Sequence, residues 1–178
     1  MMKKISLILA CTFDGGIGLN NDIPWKIRSD FIKFKEITTK TINETKKNAL
    51  IMGSNTFKSI GKPLPNRINI VLSRYKTYDN AITMGSIEDS IEYCNNCEDI
   101  ETIYIIGGSY IYNYFIESDI YDYDIIMSLI KEYYECDTYI DIKSIFRKFK
   151  FIKCKYYNND SEFISYICKK KSQQNITQ

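Results

Sequence analysis

The chain has no histidine among its 178 residues. This absence excludes mechanisms that pair serine or cysteine with histidine, and it excludes histidine-ligated metal sites. Proton chemistry therefore has to come from carboxylates, lysine, tyrosine, cysteine, water or the ligand itself. The net charge of +2 is too small to indicate nucleic-acid binding. We interpret the lysine run at 169–171 as part of a solvated tail, in preference to a binding patch.

Long apolar runs are also missing. No segment approaches the roughly 18 apolar residues that a membrane-spanning helix needs. Residues 1–10 contain two lysines followed by apolar or small residues, which is one way for a signal peptide to begin. Residues 11–14 do not form the small-residue cleavage pattern that should follow. We therefore expect a buried first strand and a cytoplasmic protein with no membrane partner.

Cysteine is present, and its spacing could indicate disulfides, a redox pair or a zinc site. A chain of this length can build a core without disulfides, so we expect reduced thiols in preference to bridges. Cys94 and Cys97 form one CxxC pair, but the pair follows a predicted helix at 86–93, whereas a redox pair begins a helix. A zinc site would need two further ligands, so we interpret the pair as a chance spacing. The six cysteines are Cys11, Cys94, Cys97, Cys136, Cys154 and Cys168.

The order of apolar segments predicts a single α/β domain over 1–178, with its core at about 5–169 and a tail at 170–178. Continuous apolar strands alternating with helices favour a mostly parallel central sheet with helices on both faces. The last strands have no helix between them, which predicts an antiparallel edge and a hairpin turn at 158–160. The predicted strands are 5–12, 49–52, 68–73, 82–84, 102–106, 123–130, 149–157 and 163–169. The predicted helices are 26–39, 54–59, 86–93 and 109–116.

The first predicted helix carries an acid on its apolar stripe. Spacings of three, four, seven and ten residues place five side chains on one face, and four of the five are apolar. The fifth is a carboxylate, which is costly to bury unless it has a partner or changes protonation. An acid in this position after a glycine-rich loop predicts a pocket that handles a proton. The stripe consists of Ile27, Asp30, Phe31, Phe34 and Ile37.

Two strands run directly into helices through glycine. Gly53 precedes the second predicted helix, and Gly107 and Gly108 precede the fourth. Free amides at a helix N-terminus attract phosphate, so two such turns at one cleft could hold a diphosphate. Either turn alone is weak evidence for a phosphate site, because glycine between a strand and a helix often serves only to form the turn. Leu72-Ser73-Arg74 at a third strand end strengthens the pattern, and no GxGxxG motif is present.

Arg67 opens a strand after a proline-containing turn. One interpretation is a solvated arginine at a strand end. The other is a guanidinium group that binds a carboxylate through two hydrogen bonds.

These features occur in an order that resembles the dihydrofolate reductase family, from about residue 5 to residue 169. The acid-bearing helix, with Asp30, lies among blocks that match that family in sequence and spacing. The blocks are GIGLNNDIPW (16–25), IMGSNTFKSIG (51–61), PLPNRINIVLSR (63–74), IYIIGGSYIY (103–112) and CDT (136–138). The resemblance implies NADPH-dependent reduction of 7,8-dihydrofolate to 5,6,7,8-tetrahydrofolate, in support of one-carbon metabolism and thymidylate synthesis. It also implies antifolate inhibitors as ligands and no metal.

The resemblance assigns three residues to catalysis. Asp30 would hydrogen-bond the pterin amino group and the adjacent ring nitrogen and favour protonation through water. Ser128, ten residues before Thr138, matches a hydroxyl that bridges to the acid, where threonine is common. Trp25 matches a tryptophan that orders a water near the acid.

The resemblance also assigns the substrate site. Arg67 would bind the glutamate α-carboxylate of folate. The apolar walls of the substrate site would be Ile8, Leu9, Ala10, Ile27, Phe31, Phe34, Ile60, Leu64 and Ile106.

The resemblance also assigns the cofactor site. Ala10 and Ile17 would lie beside the nicotinamide, and the family has a cis peptide bond at the position of Gly107–Gly108. Family members usually carry basic residues where this chain has Ser54 and Asn55, so NADPH remains expected with a weaker preference over NADH. The diphosphate cradle would be Gly53, Ser54, Asn55, Thr56, Gly107, Gly108, Ser109, Tyr110 and Ile111. The 2′-phosphate site would be Ser73 and Arg74. Leu72 and Tyr112 would also bind the cofactor.

Two other interpretations stay open at this point. A related reductase would act on another pyrimidine or pterin ring, and Arg67 distinguishes it, because only a substrate with a glutamate tail needs that residue. A non-catalytic folate- or nucleotide-binding module would have no use for Asp30, Trp25 and the paired glycines together. The glycine-rich loop 13–25 is expected to act as a lid whose motion limits turnover. We expect a monomer, with any thymidylate synthase partner on a separate chain.

Overall fold

The computed structural model describes residues 2–154 and 162–171. Positions 155–157 of the predicted strand 149–157, the predicted hairpin turn at 158–160 and positions 172–178 of the predicted tail lie outside these residues. Within the described part of the chain, no helix is both long and apolar enough to cross a membrane.

Ten strands and five helices are formed by the described residues. The strands are β1 Lys4–Cys11, β2 Gly16–Gly18, β3 Lys47–Gly53, β4 Ile68–Leu72, β5 Ile82–Met84, β6 Ile100–Ile105, β7 Tyr123–Ile130, β8 Thr138–Tyr139, β9 Phe149–Lys153 and β10 Phe163–Lys170. The helices are α1 Arg28–Thr39, α2 Ser54–Ile60, α3 Ile87–Asn96, α4 Ser109–Glu117 and α5 Ile142–Lys148.

Eight of these strands form one sheet in the order β5-β4-β3-β6-β1-β7-β10-β9. The strands from β5 to β7 are mutually parallel, and β10 is antiparallel to both β7 and β9. This arrangement confirms the predicted parallel sheet with an antiparallel edge. Strands β2 and β8 form a separate antiparallel pair.

The sheet is covered on both faces, as predicted. On β3, Leu50 and Met52 pack on the face that carries α1 and α2, whereas Ala49 and Ile51 pack on the opposite face. That opposite face is covered by apolar side chains of α3, α4 and α5. The two-residue alternation follows from the strand pleat, in which successive side chains point to opposite faces. The continuous apolar run of β3 therefore fills two cores at once.

Helix α1 begins at Arg28, two residues later than predicted. Ile27 is its N-cap and has an extended backbone, with φ −92° and ψ 100°. Its side chain is buried in a cluster with Trp25, Ile130 and Phe163. Burial in that cluster holds residue 27 outside the helix, although its position fits the helical period.

Helix α3 extends three residues beyond its predicted end. Cys94 therefore lies in its last turn, and Cys97 is the C-cap. Burial raises the pKa of Cys94 to about 12, with a smaller contribution from the nearby Cys97. All six cysteines are free. The CxxC pair thus stands at the helix end that does not favour thiolate formation, as predicted.

Candidate active site

A cleft of about 1340 Å³ opens where the carboxyl ends of the parallel strands meet α1, α2 and α4. A site for one small ligand usually has about 300–1,000 Å³, so this cleft has room for two ligands side by side. With two exceptions, every site residue predicted from the sequence lines it. The lining includes Ile8, Leu9, Ala10, Ile17, Trp25, Asp30, Phe31, Phe34, Gly53, Ser54, Asn55, Thr56, Ile60, Leu64, Arg67, Leu72, Ser73, Arg74, Ile106, Gly108, Ser109, Tyr110, Ile111, Tyr112 and Ser128.

The two exceptions, Ile27 and Gly107, lie behind the lining. Ile27 is only 1% exposed and supports Trp25 from the core side. The carbonyl of Gly107 accepts a hydrogen bond from the amide of Gly53 at 2.8 Å. A Cβ on Gly107 would lie 2.7 Å from the ring of Tyr112, and its φ is +102°. Both residues therefore hold neighbouring lining residues and do not face the cleft themselves.

Asp30 is joined to the sheet through Ser128. In the register of β1 and β7, Ser128 pairs with Ala10, which brings its hydroxyl to the floor of the cleft. The Ser128 hydroxyl donates to Asp30 Oδ1 at 2.5 Å. Serine thus makes the bridge to the acid that the resemblance implied for this position.

Lys33 was not among the site residues predicted from the sequence. This lysine is 2% exposed, and its Nζ donates to the Ser128 hydroxyl at 2.8 Å. Lys33 lies three residues after Asp30 on the same helix, and residues at that spacing are neighbours on a helix surface. A lysine at that spacing from an acid was the available signal in the sequence.

Trp25 belongs both to the core and to the cleft. It is 2% exposed, and its ring meets Tyr134 edge-on with 5.6 Å between ring centroids. It also lines the cleft near Asp30. Packing from behind therefore fixes the face of the ring that a ligand would meet.

Arg67 is buried at one end of the cleft. Its Nε donates to the Pro65 carbonyl at 2.9 Å, and one terminal nitrogen donates to the Thr38 hydroxyl at 2.8 Å. Burial lowers the pKa of Arg67. Among residues 2–154 and 162–171, no carboxylate lies within ion-pair distance of it. A buried guanidinium held by neutral groups favours a ligand that brings its own carboxylate.

The two glycine turns meet at the other end of the cleft. Gly53 is the N-cap of α2 and Gly108 the N-cap of α4, and neither helix has a side-chain cap hydrogen bond. A Cβ on Gly108 would lie 3.4 Å from the Thr56 hydroxyl, and one on Gly53 would lie 3.5 Å from Ile111. Paired first-turn amides with little side chain between them fit a diphosphate. The Gly107–Gly108 peptide bond is cis, as the resemblance implied.

The adjoining surface carries one arginine and one acid. Arg74 is exposed, and its guanidinium lies 5.7 Å from the ring centroid of Tyr75. Glu88, near the start of α3, also lines this region and was not predicted from the sequence. Its carboxylate accepts a hydrogen bond from the Tyr114 hydroxyl at 2.6 Å, and this bond lowers the pKa of Glu88. The approach of α3 to the cleft depends on tertiary packing and leaves no local sequence signal.

The glycine-rich loop is tied down beside the cleft by β8. The Asn20 amide donates to Asp137 Oδ2 at 2.8 Å, and the Ile140 amide donates to the Gly15 carbonyl at 2.9 Å. A Cβ on Gly16 would lie 2.6 Å from the sulfur of Cys136. The loop therefore packs so closely against the segment 136–142 that Gly15 and Gly16 leave no room for a side chain. No cluster of acids and cysteines suited to a metal ion occurs among the described residues.

The known proteins that this chain resembles in sequence share one description. A sequence model described as Dihydrofolate reductase matches residues 4–171. The dihydrofolate reductase of Aedes albopictus is 34% identical over 84% of this chain and 86% of its own length. The dihydrofolate reductase of Candida albicans is 38% identical over 70% of this chain and 69% of its own length.

Bifunctional relatives are longer. The bifunctional dihydrofolate reductase-thymidylate synthase of Paramecium tetraurelia is 37% identical over 83% of this chain but only 30% of its own length. The chain thus spans less than a third of the length of such relatives. The family match covers nearly all of the described residues, and on that ground the chain belongs to the dihydrofolate reductase family.

Proposed function

We propose that this protein is a dihydrofolate reductase that uses NADPH to reduce 7,8-dihydrofolate to 5,6,7,8-tetrahydrofolate. The observation that carries the proposal is the Asp30 carboxylate, which accepts a hydrogen bond from Ser128 in a cleft with apolar walls. The family match and the relatives named dihydrofolate reductase support it. The room for two ligands in one cleft also supports it, since the reaction needs both a substrate and a reductant.

The substrate end of the cleft would bind the heterocycle through Asp30 and the tail through Arg67. The flat pterin and aminobenzoyl rings would lie between apolar side chains, among them Ile8, Phe34 and Ile60. The buried guanidinium of Arg67 would pair with the glutamate α-carboxylate, an interaction worth about 1.5–3 kcal/mol. A substrate without that carboxylate would leave Arg67 without its ligand, which favours dihydrofolate over another pterin or pyrimidine.

The cofactor end would hold the diphosphate at the amides that follow Gly53 and Gly108, with Ala10 and Ile17 beside the nicotinamide. When bound, NADPH supplies the hydride, which is added to a ring carbon while the neighbouring nitrogen takes a proton. Arg74 and Ser73 favour NADPH through its 2′-phosphate. Neutral Ser54 and Asn55, together with Glu88 in the lining, favour a smaller preference over NADH than a more basic site would give.

The chain's own contribution to the reaction is mainly electrostatic and positional. Asp30 would orient the ring and favour the protonated form of the nitrogen that is to be reduced, through water ordered beside Trp25. Ser128 would hold the carboxylate in place. The 13–25 loop would exclude bulk water once both ligands are bound.

Several broader features belong to the same proposal. We propose one domain over 1–178, a monomer, antifolate inhibitors as further ligands, and no nucleic-acid or membrane partner. A cytoplasmic location is supported by the six free thiols, which a reducing compartment maintains.

The test is to mix the purified protein with NADPH and dihydrofolate and to follow the absorbance of NADPH. The proposal expects oxidation of NADPH that depends on dihydrofolate. Binding of both ligands without oxidation would instead support a non-catalytic module. Oxidation with a tail-less pterin that equals that with dihydrofolate would support a related reductase.

A further inference from the structure

Helix α1 contains a lysine that is almost completely buried. Lys33 is 2% exposed, although lysine is among the residue types that are least often buried without a partner. Its Nζ lies 5.2 Å from the ring centroid of Phe163 on β10 and donates to Ser128 on β7. The ammonium therefore contacts both strands, and Lys33 lines the cleft together with Asp30.

The direction of the hydrogen bonds follows from the chemistry of an ammonium group. A protonated lysine has three donors and no acceptor, so the Ser128 oxygen has to accept at 2.8 Å. The one proton of the Ser128 hydroxyl is then available for Asp30, to which it donates at 2.5 Å. Lys33, Ser128 and Asp30 thus form a chain that ends on the carboxylate.

Two opposing effects act on the pKa of Lys33. Burial is the larger effect and lowers this pKa, whereas the nearby Asp30 carboxylate opposes the shift by stabilising the ammonium. Tyr112 on α4 also faces Asp30, and burial raises its pKa far above the physiological range, so its hydroxyl stays neutral. Lys33 is consequently the positive group that faces Asp30 from within this cluster.

We propose that Lys33 is a positioning residue, which directs the Ser128 proton to Asp30 and keeps that carboxylate ionised. The inference deepens the proposed function, on which its catalytic consequence rests. A positive charge one hydroxyl away from a carboxylate stabilises the ionised form. Removing that charge therefore moves the titration of Asp30 to higher pH.

The decisive variants change Lys33 in two ways. Lys33→Met removes both the charge and the donor, and Lys33→Gln keeps a donor for Ser128 without the charge. Methionine fits an apolar environment without desolvating a charge, so we expect the first variant to fold. Lys40→Met is the matched control, because Lys40 is exposed at the C-cap of the same helix. Lys40 is ten residues after Asp30, which places it about 15 Å from Asp30 along the helix axis.

The measurement is an NMR titration of the full-length, ligand-free protein labelled with ¹³C at the aspartate carboxyl carbons. Asp30→Asn identifies the resonance of residue 30 by its loss. We expect the Asp30 midpoint to rise by about one pH unit in both Lys33 variants, as for loss of a nearby opposite charge. Lys40→Met should leave the midpoint unchanged.

An Asp30 midpoint that is the same in Lys33→Met and in the parent protein would overturn the proposal. So would a rise in Lys33→Met alone, because Lys33→Gln would then show that a neutral donor suffices. Should the methionine variant fail to fold, the glutamine variant decides the question. The titration uses no substrate, so its failure is distinguishable from a failure of the parent protein to oxidise NADPH. In that active parent, the pH dependence of turnover should move in the same direction in Lys33→Met.

Discussion

The two ends of the cleft offer different chemical groups to the ligands that we propose for them. At the end that we propose for the substrate, the charge is carried by half-buried Asp30 and buried Arg67. Asp30 accepts a hydrogen bond from Ser128, and Arg67 donates one to Thr38. At the end that we propose for the cofactor, the first turns of α2 and α4 follow Gly53 and Gly108 and have no side-chain cap hydrogen bond. The charged side chain there, Arg74, is exposed.

This difference implies different sensitivities to mutation. A buried charge has few substitutes, so its removal should cost a large factor in rate or affinity. An amide cradle shares its interactions among several backbone groups, and an exposed charge is screened by solvent. Substitutions at the substrate end should therefore have the larger effects.

The largest effect is expected for Asp30→Asn. The amide keeps the shape but not the charge, so turnover at neutral pH should fall by about 10²–10⁴-fold, the usual contribution of a general acid or base. Activity should recover in part at low pH, where the substrate is already protonated. Steady-state kinetics over a pH series measure this, and unchanged affinity for NADPH serves as the control. Equal turnover in the mutant and the parent would remove Asp30 from the mechanism.

Arg67→Ala should have the next largest effect. Loss of a charge-assisted pair worth about 1.5–3 kcal/mol should raise the KM for dihydrofolate by about 10- to 100-fold. Arg67→Lys should be intermediate, because an ammonium lacks the planar fork of donors. A dihydropterin without the glutamate tail is the control substrate. If its KM rose equally, Arg67 would be acting on the fold and not on the tail.

Gly16→Ala tests the loop that spans the two ends. A methyl group at residue 16 would collide with Cys136, so the 13–25 loop should no longer pack in its present position beside β8. We expect turnover to fall by about tenfold, since small misplacements near reacting groups are costly. The dissociation constant of NADPH should change by less than the rate does. Gly61→Ala, a strained position with no neighbour within 4 Å, controls for simple loss of stability. An unchanged rate would eliminate the loop as a lid.

Arg74→Ala should have the smallest effect. An exposed ion pair contributes up to about 1 kcal/mol, so the ratio of NADPH to NADH efficiency should fall by about fivefold. Kinetics with both cofactors at low and moderate salt would measure it. Loss of all NADPH activity would contradict the shared cradle, because it would assign most of the affinity to one exposed side chain.

Each end of the cleft contains a feature that was predictable from the sequence. Asp30 was predictable from helical spacing, and the glycine turns from strand ends that run into helices, because both signals are local. Phe31, on the same stripe, is 48% exposed, since the stripe faces an open cleft and not only the core. The family resemblance added the roles of Ser128 and Arg67.

What the sequence did not predict depends on contacts between distant segments. Lys33 becomes buried only because β7 and β10 close over α1. Strands β2 and β8 contain three and two residues, too few for a periodic pattern, and α5 has only seven. The position of Glu88 in the cleft follows from how α3 packs. In each case the missing information is tertiary.

The most direct test of the account is a crystal structure of the protein with NADP⁺ and folate bound together. The account predicts the Asp30 carboxylate within hydrogen-bond distance of the amino group and ring nitrogen of the pterin, with the diphosphate between the turns at Gly53 and Gly108. A complex in which residue 30 faces bulk solvent, with the ring bound elsewhere, would contradict it.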